Sequence, residues 1–191
     1  MKRAVAVVMC GVLAGMVAGC ATPKTGKKSV FAMMQEKANA ITEAGGLAAV
    51  GIGTSKTMNL ALDKAKTRGR VELAQIMEVK VDSMKKDFQE EVGEGQGSEL
   101  NALFTAAARV VTQKIMTGSV PKALETEPEN GQINAYALMV IDPKVVADAF
   151  GDQANSQRNM YTRFRASQAF AELDNEIKKY DAFKKNEGMM Q

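Results

Sequence analysis

The 191-residue chain, 46% hydrophobic and 25% charged, is long enough for one packed domain with appendages. It has no histidine and two cysteines, which takes away the usual general base and the usual zinc ligands. A formal charge of +3 gives nucleic acid little to recognise.

Residues 1–19 read as a leader. Lys2 and Arg3 precede sixteen uncharged residues, Ala4 to Gly19, a run too short for a comfortable membrane span. The run ends Val17-Ala18-Gly19-Cys20. This small-residue step onto cysteine resembles the bacterial lipoprotein signal, in which cleavage falls between Gly19 and Cys20 and the Cys20 thiol carries a diacylglyceryl group. Cys10 then leaves with the leader and lipid consumes Cys20, so no internal disulfide forms and burial alone holds the fold. Lys2 and Arg3 leave as well, which lowers the net charge from +3 to +1. Ala21 stands where, in proteobacterial lipoproteins, an aspartate favours the inner membrane; its identity implies the outer one. Residues 20–29 form a polar lipidated tether, at most about 30 Å when extended. Its Lys24, Lys27 and Lys28 suit either anionic headgroups or plain solvent.

Ser29 is placed to cap a short helix in which Phe31, Met34, Ala38 and Ile41 share one face, and Gly45-Gly46 ends it. Leu47 to Thr54 reads as a strand. Within it, Gly51-x-Gly53 ahead of Thr54-Ser55-Lys56-Thr57 suggests a phosphate loop and fails as one. No lysine follows the second glycine directly, and Lys56 stands where a dinucleotide fingerprint needs a third glycine. Glycines on one face of a strand instead let a helix lie close. The helix that follows carries an apolar stripe: Met58, Leu62, Ala65, Gly69, Leu73, Met77, Val81, Met84, Phe88 and Val92. Thr57 is its expected cap. Gly69 costs about 1 kcal/mol of helix propensity, and a small residue there is what contact with Gly51 and Gly53 needs. Gly93 to Gly97 interrupts the pattern. Ser98 restarts it, with Leu100, Phe104, Ala107, Val111 and Ile115 on one face, which makes an αα-hairpin.

Val120 to Glu127 and Gln132 to Ile141 switch to strand chemistry around Pro128-Glu129-Asn130-Gly131, a strong hairpin signal. The second of these strands is apolar on both faces and is expected to be central; Pro121 suits an edge. Asp142-Pro143 starts a short helix, Lys144 to Phe150. The remainder reads as a domain boundary after residue 150 and one charged helix from about Gln153 to Phe183. Phe170, Leu173, Ile177 and Tyr180 form a narrow seam that Met160 and Phe164 extend. The seam either folds back on its own domain or pairs with a second copy. Lipid confinement favours pairing, so a homo-oligomer through this helix is expected.

Catalytic chemistry has little to work with. Glu90-Glu91-x-x-Glu94 and Glu125-x-Glu127-x-Glu129 read as solvated runs, and Ser55-Lys56 and Ser83-x-Lys85 lack partner motifs. No catalytic residue, metal site or cofactor is expected. Ala49-Val50-Gly51-Ile52-Gly53 leading to Ala61, Ala65 and Gly69-Arg70-x-Glu72-Leu73-Ala74 resembles the domain of the small Helicobacter-type lipoproteins, the Lpp-twenty family, which includes FlgP-like flagellar outer-membrane lipoproteins. The resemblance covers residues 47–142, with Gly69 where that core has alanine. It implies a β-α-α-β-β domain, an envelope location, frequent multimerisation and no catalytic residues.

The expected fold is α+β: a three-stranded sheet covered on one side by a long helix pair, with further helices at both ends (domain 30–150, helix 151–191). The expected function is that of a non-catalytic outer-membrane lipoprotein on the periplasmic side, a structural or assembly part of an envelope complex, flagellum-associated in its sharpest form. Its rivals are a monomeric module that binds and regulates a cell-wall or export system, and a surface-exposed adhesin or immunogen.

Overall fold

In the computed structural model, which describes residues 28–93 and 97–189, Ser29 opens the first helix. Its hydroxyl accepts a hydrogen bond from the Ala32 N–H at 3.2 Å, and helix α1 runs Val30–Glu43. Strand β1 (Leu47–Ser55), helix α2 (Met58–Val92) and helix α3 (Gly97–Gly118) follow. Strands β2 (Val120–Glu129) and β3 (Gln132–Ile141) come next, then helices α4 (Lys144–Gly151), α5 (Arg158–Arg165) and α6 (Gln168–Met189). The architecture is α+β, with a wholly antiparallel sheet in the order β1-β3-β2.

β3 is the central strand, as its apolar faces require. The β2–β3 turn holds Asn130 at φ 49° and Gly131 at φ 75°, the left-handed pair a type I′ hairpin needs. On the β2 edge Pro121 pairs with Met139 and Ala123 with Leu138, so Lys122 is the extra residue of a bulge.

Alternation along the strands sorts two cores. Leu47 and Ala49 of β1, with Ala135, Ala137, Met139 and Ile141 of β3, face α2. Ala48, Tyr136 and Leu138 face the other way, onto Met34, Ala38 and Ile41 of α1 and Tyr180 of α6. The sheet is thus covered on both sides, not one. The helix pair also divides its work: α2 lies along β1 and β3, while α3 packs on α2 and α4.

On α2 the buried stripe is Ala61, Ala65, Gly69, Leu73, Met77, Val81, Met84 and Phe88. It begins one position away from the expected register: Met58 is half exposed, and Leu62 and Val92 only flank the core. At the first contact the helix backbone comes too close for a large side chain, so alanine takes the inward position and Leu62 turns aside. Thr57 occupies the cap position with extended backbone, φ −114° and ψ 137°, but its side chain makes no capping bond. Ser55 Oγ instead accepts from the Thr57 N–H at 3.3 Å.

The C-terminal region departs most from expectation. The single helix expected over 153–183 is two, with turns over 152–156 and a break at Ala166-Ser167. Phe170 and Leu173 are 8% and 2% exposed in the α2-side core, which Ile177 flanks, and Tyr180 is 5% exposed in the α1-side core. Within this chain the seam therefore folds back in cis onto its own domain, the first of the two expected arrangements, with Ile177 only partly covered. Nor does a boundary fall at residue 150. Phe164 sits 4.4 Å from Phe150, 5.1 Å from Phe104, 5.3 Å from Phe88 and 5.5 Å from Phe170 between ring centres, one aromatic cluster spanning α2 to α6.

Candidate functional site

Gly19 and Cys20, the expected cleavage and lipid sites, lie outside the described residues, as do Lys24 and Lys27. The described chain begins beside them: Lys28 pairs with Glu36 at 2.6 Å, and α1 starts two residues later. α1 packs against β1 and leads into it by a tight turn, and α2 returns along β1 in the opposite direction. Both helices therefore begin at the Ser55 end of the sheet. That end carries the β2–β3 hairpin and the half-exposed Met58 and Leu60.

Gly51, Gly53 and Gly69 come together between β1 and α2. A Cβ on Gly51 would stand 2.0 Å from the Ala65 carbonyl oxygen and 2.2 Å from the Gly69 nitrogen. One on Gly53 would stand 2.1 Å from the Ala61 oxygen, whereas Gly69 faces the side chain of Met139 at 2.6 Å. Backbone meets backbone there, which leaves no room for a phosphate. The two arms of the contact also guard the sheet. Arg68 donates to the Ile52 carbonyl at 2.8 Å and Lys64 to the Thr54 carbonyl at 3.1 Å, covering the outer edge of β1.

Two carboxylates of these runs, Glu91 and Glu129, have structural employment that local sequence does not reveal, while Glu90, Glu125 and Glu127 are exposed as expected and Glu94 lies outside the described residues. Glu91, on the last turn of α2, accepts from the Gln168 N–H at 3.1 Å and the Ala169 N–H at 3.4 Å. Ser167 Oγ completes the cap of α6, accepting from the Phe170 N–H at 3.2 Å. A carboxylate at a helix N-terminus satisfies orphan donors and complements the dipole. Glu91→Ala is therefore expected to cost about 1 kcal/mol and lower the thermal midpoint by roughly 2–4 °C, with Glu90→Ala close to neutral. Equal shifts for the two would refute the cap. Glu125, Glu127 and Glu129 share one face of β2, and Glu129 accepts from Asn134 Nδ2 at 2.6 Å.

Titratable groups cluster where α6 meets the sheet. Lys184 bridges Asp142 at 2.5 Å and Asp181 at 2.8 Å, and these hydrogen bonds hold its ammonium well above the usual lysine range. The same bond from Lys184 draws Asp181 below the carboxylate norm. Burial, then Asp142, pushes the Tyr180 phenol up. Burial, then Glu127 and Glu129, does the same for Tyr136. The Lys184 cluster clamps α6 onto the end of β3, helped by the Lys80–Glu176 and Lys122–Glu187 pairs. A wide cleft of about 1010 Å³ opens between α3, α4, α5 and α6. Its charges neutralise one another, Lys114 with Asp152 at 3.6 Å and Lys178 with Asp174 at 2.7 Å, so it selects neither anion nor cation. Among the described residues no three His, Cys, Asp or Glu side chains are grouped to hold a metal ion.

No protein-family model matches this chain, and no curated protein is significantly similar to it.

Proposed function

We propose that the protein is a non-catalytic lipoprotein of the outer membrane, held through Cys20 on the periplasmic side, where it is an assembly part of an envelope complex. The observation that carries this reading is Val17-Ala18-Gly19-Cys20 behind a leader that is first cationic and then apolar. The geometry around α1 agrees with it, because the capped start of the domain follows a polar stretch long enough to clear a headgroup layer. A flagellar complex is the sharpest version and rests on the resemblance of residues 47–142 to the Lpp-twenty family. Cys20→Ala tests the anchor. The variant is expected to accumulate uncleaved, to take up no labelled palmitate and to leave the membrane fraction after a salt and carbonate wash, since the thiol is the sole acceptor. Retention in washed membranes would sink the proposal.

A second reading, a monomeric module that binds and regulates a cell-wall or export system, is favoured by the burial of Phe170, Leu173 and Tyr180 in cis. The mass of the lipidated protein in detergent separates the two. A monomer at every concentration supports the module, and a defined oligomer supports the assembly part.

A further inference from the structure

The sheet has two outer edges, and the chain treats them differently. On β1 the Ile52 and Thr54 carbonyls receive Arg68 and Lys64, so these groups point away from β3. Antiparallel pairing alternates from one residue to the next. Carried across the ladder, where Gly53 pairs with Ala135 and Tyr136 with Glu125, it turns the backbone groups of Leu124, Thr126 and Pro128 outward from β2. β2 is exposed from Leu124 to Glu129.

Two features share one face of this edge. Ala123 packs with the α1-side core, and beside it a pocket of about 250 Å³ opens between α1, β2 and α6. Ile41, Leu138 and Phe183 are among its apolar walls, and Lys37 and Glu187 stand among them. Glu125 and Glu127 follow on the same face at alternate positions. An added strand places its own same-face side chains at the same spacing of about 7 Å.

We propose that β2 takes an extended basic segment of a partner protein as a fourth strand. An apolar side chain of that segment enters the pocket beside Ala123, and Lys or Arg side chains lie against Glu125 and Glu127. Main-chain bonds to the outward groups supply affinity, and the pocket and carboxylates supply selectivity. A second copy fits less well, because antiparallel β2–β2 pairing sets glutamates against glutamates. The chain's own tether, Ala21-Thr22-Pro23-Lys24-Thr25-Gly26-Lys27, is basic but has no large apolar side chain for the pocket. The Lys122 bulge and Pro128 confine pairing to a short stretch, which suits a docking site and discourages open-ended aggregation. The proposal deepens the assembly reading without depending on lipid, so a chain that fails the Cys20 test can still pass this one.

The test uses the full chain in detergent at low salt with the fluorescein-labelled peptide Thr-Lys-Thr-Lys-Thr-Leu-Thr, ordered for antiparallel addition. Saturable binding is expected, with slowed amide exchange at Leu124 and Thr126. Glu125→Lys with Glu127→Lys, or aspartate in place of the peptide leucine, is expected to weaken binding at least tenfold. Thr126→Pro removes an outward N–H and spares the pairing with β3, so binding should vanish while the thermal midpoint holds. Absence of saturable binding, or binding that survives Thr126→Pro, overturns the proposal. Dimers that Thr126→Pro dissolves assign the edge to a second copy. Binding that appears only after Lys24 and Lys27 are changed to serine assigns it to the tether. Either result also overturns the proposal.

Discussion

Gly51→Ala is expected to cost about 3 kcal/mol or more, the upper end of what overpacking a core does. The added carbon would fall 2.0 Å from the Ala65 carbonyl and 2.2 Å from the Gly69 nitrogen, both backbone atoms of one helix. No rotamer relieves that clash. α2 must lift from β1, and the contacts on either side loosen with it. For a chain of this size the midpoint falls by roughly 6–12 °C. Gly53→Ala, against the Ala61 carbonyl at 2.1 Å, belongs to the same class. Gly69→Ala does not. Its new carbon meets Met139 Cγ at 2.6 Å and the Gly51 nitrogen only at 3.2 Å, so a side chain and not the helix backbone must give, and about 1 kcal/mol of helix propensity offsets part of the cost. Thermal melts of the three variants should therefore separate by position, although all three make the same chemical change. A midpoint shift below about 2 °C for Gly51→Ala would show that β1 and α2 are not so closely apposed.

Phe164→Ala is expected to be as damaging, at about 3–5 kcal/mol. The ring is fully buried and lies within 5.5 Å of four other phenylalanine rings, from α2, α3, α4 and α6. Truncation removes the common partner of all four and leaves a cavity that their backbones cannot collapse to fill. Phe31→Ala is the control, since its ring is 40% exposed and sits 6.4 Å from Tyr136. Its cost should stay below about 1 kcal/mol. Comparable losses for the two would place Phe164 outside the core.

The elements read best from sequence are those whose cause is local. Asn130-Gly131 dictates its turn because both residues must take positive φ, and the glycines of β1 and α2 announce a close approach by lacking side chains. The C-terminal region fails for a physical reason. Periodicity at Phe170, Leu173, Ile177 and Tyr180 shows that a stripe will be buried, but not whose surface buries it. The break at Ser167 carries no glycine or proline, and half of its cap comes from Glu91, far away in sequence. Read from its neighbours alone, Glu91 is one more solvated acid. The guarding of β1 by Lys64 and Arg68, and the bare edge of β2, depend on strand order and become legible only once β3 is seen between them.

α2 is 35 residues long, about 52 Å along its axis, while the nine residues of β1 span about 30 Å. More than a third of the helix thus continues past the sheet, as a rigid strut with the phenylalanines clasped around its far end. Because α1 and α2 both begin at the Ser55 end of the sheet, that far end lies roughly 50 Å along α2 from the end at which the described chain starts. The two extremities are thus separate surfaces on one rigid axis, too far apart for a single small partner to touch both.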